Sequence, residues 1–236
     1  MLEKVAVFFD VDDTLLDNYL AFKWTIRKYS TDSIFDEKFL KRFYRKFHSY
    51  SEKINQGGQK ENTNSKQKNE RWLLVMETLE MKKDIKASDL DDYYHLCQSN
   101  LTLSNEMNLL LNVLKKSDIF CGILTNGSTQ QQRRKIQLLE LDQFIDPKWQ
   151  FISESLGDAK PNVSCFRKVT ERLPKEITKI YYLGDSYQND IRPALSANWH
   201  PIWLNRFDEE EISPILQVKT EREAVITILS QLLHFE

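Results

Sequence analysis

The stretch Val5-Ala6-Val7-Phe8-Phe9-Asp10-Val11-Asp12-Asp13-Thr14-Leu15 opens with five consecutive apolar residues and runs straight into a group of carboxylates. An unbroken apolar run with no polar alternation predicts a strand buried on both faces, as in a sheet covered by helices. Working outward, residues 119–124, 180–183 and 201–204 have the same character. Helical patterns separate them. Ser104 predicts an N-cap for a helix through Leu109, Leu110, Val113 and Leu114 to Lys115-Lys116, and similar patterns cover about 129–141 and 163–173. Thr220-Glu221-Arg222-Glu223 has the spacing of a capping box before a last apolar helix. Strand–helix alternation of this kind predicts an α/β fold, Rossmann-like, with a parallel sheet.

Residues 18–98 interrupt the alternation and read as helices throughout. Phe39, Leu40, Phe43 and Phe47 recur at helical spacing, as do Trp72, Leu73, Val75, Met76 and Leu79. Ser88 and Asp91 predict the cap of a final helix carrying Leu90, Tyr94 and Leu96-Cys97. Residues 56–70 contain no hydrophobic side chain and read as a mobile loop or a solvated helix start. The expected organisation is a core of residues 1–17 and 99–236 with an all-helical domain of residues 18–98 inserted after the first strand. Trp24, Trp72 and Tyr93-Tyr94 are read as core residues. Lys38, Lys41, Arg42, Arg45 and Lys46 are read as a solvated basic face opposite Phe39, Phe43 and Phe47.

Composition limits the function classes. The 236 residues hold 33 Lys+Arg and 35 Asp+Glu, a net charge of −2, too balanced for a polyanion binder that works by bulk charge. Nucleic acid is therefore an unlikely partner. Six Gly and six Pro argue against low-complexity disorder. Cys97, Cys121 and Cys165 lie far apart with no Cys-x-x-Cys pair, so a structural zinc site is not expected and reduced thiols of a cytoplasmic protein are. Cys121 reads as a small buried hydrophobe. The apolar run 5–9 is too short for a signal h-region or a membrane span. The four histidines are dispersed and carry no expected role.

In open α/β sheets, ligands bind beyond the carboxyl ends of the strands. That rule selects Asp10 and Asp12 after the first strand, Thr125 and Asn126 after the second, and Asp185 with Asp190 after the run 180–183. Lys160 stands in the turn Ala159-Lys160-Pro161 between the last two. Four clustered carboxylates repel one another, and a hard divalent cation with oxygen ligands relieves the repulsion. Asp13 reads instead as a helix N-cap.

These motifs resemble the haloacid dehalogenase (HAD) superfamily, in the subfamily with a helical cap inserted after the first strand. Asp10-Val11-Asp12-Asp13-Thr14-Leu15 is similar to its nucleophile motif. Leu124-Thr125-Asn126-Gly127, extended by Gln132 and Lys135-Ile136, is similar to its second, and Ala159-Lys160-Pro161 to its third. Gly184-Asp185-Ser186 with Asn189-Asp190 is similar to its acidic fourth. The resemblance implies that Asp10 attacks phosphorus to form an aspartyl phosphate and that Asp12 is the general acid and base. It implies that Thr125, the Asn126 backbone and Lys160 bind the phosphoryl group. Mg²⁺ would lie on Asp10, Asp185, Asp190 and the Asp12 backbone carbonyl, and the cap would close over the substrate. One departure follows the fourth motif, where the family's Gly-Ala-x-x-Ala-Gly is replaced by Pro193-Ala194-Leu195-Ser196-Ala197-Asn198. Asn198 is expected to take over the left-handed turn of the missing Gly, and Pro193 to sit early in a helix, where its missing N–H costs least.

The expectation is an Mg²⁺-dependent phosphatase acting on a small phosphorylated metabolite, as a monomer or homodimer. Thr-Asn-Gly resembles the branch of pyrimidine 5′-nucleotidases and acylneuraminate-9-phosphatases, which implies a nucleoside 5′-monophosphate first and a sugar phosphate second. The rival readings are a phosphomutase, a dehalogenase and a non-catalytic or nucleic-acid-binding protein.

Overall fold

The computed structural model describes residues 4–31, 36–56, 64–209 and 215–233; side chains of residues 50–56 and 64–69 are outside that description. Two compact units divide the chain: Met1–Leu16 with Thr102–Glu236, and Asp17–Leu101.

The first unit is the α/β one. Its strands are β1 (Lys4–Phe9), β2 (Phe120–Thr125), β3 (Gln150–Ile152), β4 (Ile177–Gly184), β5 (His200–Leu204) and β6 (Gln217–Val218), arranged β3-β2-β1-β4-β5-β6. Every pairing is parallel, with Val7 opposite Cys121 on one side and Tyr181 on the other. β1 is therefore central, and all of it after Lys4 is buried. On one sheet face Phe8 packs against Phe151 and Trp199, at 6.3 and 5.1 Å between ring centroids. Gly122, directly across from Phe8, is required there: a Cβ would lie 2.1 Å from the Phe8 ring.

Helices of the α/β unit follow the expected starts. Ser104 accepts from the Met107 N–H ahead of the helix Asn105–Lys116. Ser128 does the same for Thr129–Leu138, which stops short of the expected residue 141 and passes into a tight turn at Leu141–Gln143. Ser153–Leu156, Val163–Arg172 and Arg192–Ser196 follow. The last helix, Glu221–Leu233, carries the capping box in full: Thr220 Oγ1 accepts from the Glu223 N–H, and the Glu223 carboxylate accepts from the Thr220 N–H. Asn198 adopts φ 61°, the left-handed turn expected of it, and Pro193 stands in the first turn of its helix. β3 and β6 were not expected. They are three and two residues long, too short to show a period.

The second unit is helical, with α1 (Asn18–Tyr29), α2 (Glu37–Gln56), α3 (Asn64–Thr78) and α4 (Ala87–Gln98); in the same order the helices of the α/β unit become α5 to α10. Its core is aromatic. Phe22, Phe47, Trp72 and Tyr94 are buried, with Phe47 4.6 Å from Trp72 and 5.8 Å from Tyr94 between centroids. The polar stretch 56–70 is helical at least from Asn64 onward, and its remainder, residues 57–63, lies outside the described residues.

Several expectations are corrected here. Asp13 is not a helix N-cap. It sits at φ 56° in a tight turn closed by Asp13 N–H to Leu16 O at 2.8 Å, and the N-cap of α1 is Asp17, which accepts from the Leu20 N–H. α4 starts at Ala87, with Asp89 accepting from the Lys86 N–H, and Asp91 is turned instead toward Arg71 and Trp72. Phe39, Leu73 and Leu96 point outward, at 37, 48 and 55% exposure. Each sits at the edge of an apolar stripe wider than the core-facing arc of its helix. Trp24 and Tyr93 are half-buried rather than core. On α2, Lys38, Arg42 and Lys46 are exposed and Lys41 and Arg45 half-buried.

Candidate active site

Asp10 is the first residue after β1 and is buried; its N–H continues the ladder to Leu183 O at 2.9 Å. Lys160, also buried, donates from Nζ to Asp10 Oδ1 at 2.7 Å, to Asp190 Oδ1 at 2.5 Å and to the Tyr182 hydroxyl at 2.9 Å. One ammonium thus serves two buried carboxylates and a phenol. Asp190 is held in turn by the Ser186 N–H on its other oxygen. Gly184 makes this approach possible, because a Cβ there would lie 2.6 Å from Asp190 Cβ and Cγ.

The charges do not balance. Burial pushes the Asp10 carboxyl up; Lys160 opposes this, and the Asp190 and Asp12 charges add to it, so it stands at about 7. Burial would lower the Lys160 ammonium, but Asp10 and Asp190 raise it above its usual value and keep it charged. Tyr182 is raised well above its usual value, by burial and then by the same two carboxylates.

Asp10, Asp185 and Asp190 each offer an oxygen within 4.8 Å of the others. These three carboxylates are the residues that would hold a divalent cation. The all-oxygen donors and the surplus of negative charge both fit a hard divalent cation.

Asp12 stands two residues beyond Asp10 and is expected to offer a metal its backbone carbonyl rather than its carboxylate. Its carboxylate is not part of the three-carboxylate group. Lys135 Nζ donates to both its oxygens, at 2.6 and 2.7 Å, and Gln132 Nε2 to one, at 2.9 Å. As a metal ligand it has its backbone carbonyl to offer, while the side chain is held by the Lys135 ammonium. Thr125 is buried at the end of β2, with Oγ1 3.4 Å from Gln132 Oε1.

Asn126 has a role that its sequence reading missed. Its side chain clasps the Lys160 backbone, donating to Lys160 O at 2.7 Å and accepting from Lys160 N–H at 3.0 Å. Tyr182 is likewise a site neighbour not singled out from sequence, while Gln132 and Lys135, read there as extending the second motif, are given no role. Tyr182 gave no signal inside an apolar strand. Gln132 and Lys135 gave one, as polar residues three apart on one helix face next to a motif.

Fold and cluster together define an α/β protein of the parallel-sheet class with a group of carboxylates gathered beyond the ends of its strands. The sequence pattern of the haloacid dehalogenase-like hydrolases matches residues 7–204, and the chain belongs to that family. It is 32% identical over 120 residues to the glyceraldehyde 3-phosphate phosphatase of Pyrococcus furiosus, covering 51% of this chain and 48% of that one. It is 30% identical over 118 residues to the pyrimidine 5′-nucleotidase YjjG of Escherichia coli, covering 48% and 51%. The match thus spans about half the length of each of these two relatives. Over 85% of this chain and 82% of the relative it is 25% identical to the N-acylneuraminate-9-phosphatase of Rattus norvegicus. Two solved structures share the fold. One is the magnesium-bound HAD-hydrolase YfnB of Bacillus subtilis, with TM-score 0.66, 21% identity and coverage of 96% of this chain and 99% of that one. The other is a dehalogenase with an intermediate complex, with TM-score 0.70, 17% identity and coverage of 96% and 98%. Among the described residues, no helix is long and apolar enough to cross a membrane.

Proposed function

We propose that the protein is an Mg²⁺-dependent phosphatase that hydrolyses a small phosphate monoester through a phospho-aspartate on Asp10. The observation that carries this reading is the buried Asp10 at the end of β1, oriented by Lys160, with a second carboxylate held two residues further on. Asp10 attacks phosphorus as the ester P–O bond breaks, and Asp12 gives its proton to the leaving oxygen. Asp12 then takes a proton from the water that attacks the aspartyl phosphate, which releases phosphate and restores Asp10. Thr125, the Asn126 backbone and Lys160 bind phosphoryl oxygens. Bound by Asp10, Asp185, Asp190 and the Asp12 carbonyl, Mg²⁺ would offset charge on the phosphoryl group. All bond-breaking groups belong to the α/β unit, and the helical unit is read as a cap.

A nucleoside 5′-monophosphate is the first substrate class, supported by the likeness to a pyrimidine 5′-nucleotidase. Phosphorylated sugars are the second, favoured by the likeness to phosphatases named for glyceraldehyde 3-phosphate and for an N-acylneuraminate 9-phosphate. The test is release of inorganic phosphate from a panel of both classes with Mg²⁺. Release that is lost with EDTA and in Asp10→Asn supports the phosphatase. Turnover of sugar phosphates alone would replace the nucleotide assignment. No release from any member would overturn the reading, and interconversion of isomers without free phosphate would point to a mutase.

A further inference from the structure

The helix α6 (Thr129–Leu138) places Gln132 and Lys135 on one face, toward the ends of β1 and β2. Gln132 is buried and uses its whole amide group. One Nε2 hydrogen serves Asp12 Oδ2 and the other Asn126 O, both at 2.9 Å, while Oε1 faces Thr125 Oγ1. A single planar side chain therefore ties the loop after β1 to the loop after β2. The close approach depends on Gly127, at φ 139°, since a Cβ there would lie 2.8 Å from Gln132 Nε2. Lys135 completes the arrangement with one ammonium on both Asp12 oxygens.

Asp12 is the second member of a pair whose first member, Asp10, is fixed by Lys160. A carboxyl that delivers a proton to a leaving oxygen must lie within hydrogen-bond reach of it. On a turn, an aspartate side chain has several staggered positions to choose from. Gln132 and Lys135 hold it in one of them.

We infer that Gln132 and Lys135 are positioning residues that set the direction of Asp12 toward the leaving-group oxygen and lock it to the phosphate-binding loop. The inference rests on the phosphatase reading above. It makes the pair matter in proportion to the substrate's need for protonation. An alkyl phosphate needs a proton on its departing oxygen. In 2,4-dinitrophenyl phosphate the leaving group departs as a stable anion.

The experiment compares kcat/KM for these two compounds with Mg²⁺ in the wild type, Lys135→Met, Lys135→Arg and Gln132→Leu. Because kcat/KM covers the steps up to formation of the phospho-enzyme, the common hydrolysis step does not mask the difference. The alkyl-to-aryl ratio is expected to fall by about tenfold to a hundredfold in Lys135→Met and Gln132→Leu, up to the lower end of the roughly 10²–10⁴ that a general acid supplies, because the acid is misdirected rather than removed. Lys135→Arg should recover most of it. Lys135 is half-exposed, so its variants test the idea even if the buried Gln132→Leu fails to fold. Equal loss on both compounds, or no loss on either, would overturn the inference while leaving the phosphatase in place. A wild type that releases phosphate from neither compound would overturn the phosphatase reading and this inference with it.

Discussion

Both units of the molecule bury an ion pair, and the two pairs behave in opposite ways. In the helical unit, Arg71 donates to Asp91 at 2.6 Å and spreads its guanidinium over Phe47, 4.8 Å from the ring centroid. Trp72 Nε1 donates to the same carboxylate oxygen at 2.8 Å, and His95 lies 3.4 Å from the other. Burial would lift the Asp91 carboxyl. The His95 hydrogen bond and the Arg71 charge and hydrogen bond outweigh it and hold Asp91 below the usual 3.8. In the α/β unit one ammonium is divided between Asp10 and Asp190, and Asp10 is pushed up instead. The ingredients are the same, an aspartate and a buried cation among aromatic rings. The balance differs: at Asp91 the bonds from His95 and Arg71 outweigh burial and make a satisfied structural site, while at Asp10 burial, with the Asp190 and Asp12 charges, outweighs one shared ammonium and leaves charge unspent.

That contrast breaks most sharply at Asp10. Asp10→Asn should lower turnover by about 10⁴-fold or more, the scale of losing a covalent nucleophile, yet leave thermal stability intact, because it removes one of two competing charges. Phosphate release and a melting curve on the same preparation check both halves. A variant destabilised by more than about 2 kcal/mol would place the edge cluster with the structural pairs.

Arg71→Met should do the reverse. It leaves Asp91 mostly buried beside Trp72 without its cation, at a cost of about 3 kcal/mol, read as a shift in chemical denaturation. A change within about 0.5 kcal/mol, typical of a neutral surface position, would remove the structural side of the comparison.

The smallest effect sharpens the comparison by pH. Asp91 is held low, so the folded unit binds fewer protons there than the unfolded chain. The stability it contributes is complete well above the usual value of 3.8 and is lost as pH falls below it. The expected loss is roughly 2 kcal/mol or less between about pH 5 and pH 2. In Asp91→Asn that part of the slope should disappear; an unchanged slope would show that other carboxylates carry it.

Much of the α/β unit is legible along the chain. Short apolar runs without alternation are too brief for buried helices and fit strands of a covered sheet, so residues 5–9, 119–124, 180–183 and 201–204 read as strands. The cap residues Ser104 and Thr220 mark where helices take over. The helical unit is legible in kind but not in facing: Leu73 and Leu96 share the composition of a core position and stand in solvent. A helix stripe shows its centre by period, while its edges depend on which neighbour lies alongside.

The site divides in the same way. Sequence order alone brings Asp10, Thr125, Asn126, Lys160, Asp185 and Asp190 to one sheet edge, because parallel strands all end on the same side. What each side chain does there is a matter of partners far apart in the chain. Asn126 clasping Lys160, Tyr182 beneath the ammonium, and Gln132 with Lys135 on Asp12 are all decided by tertiary approach. The position of a backbone end follows from local periodicity. The direction of a polar side chain follows from the nearest partner that satisfies it, and only the folded chain determines which that is.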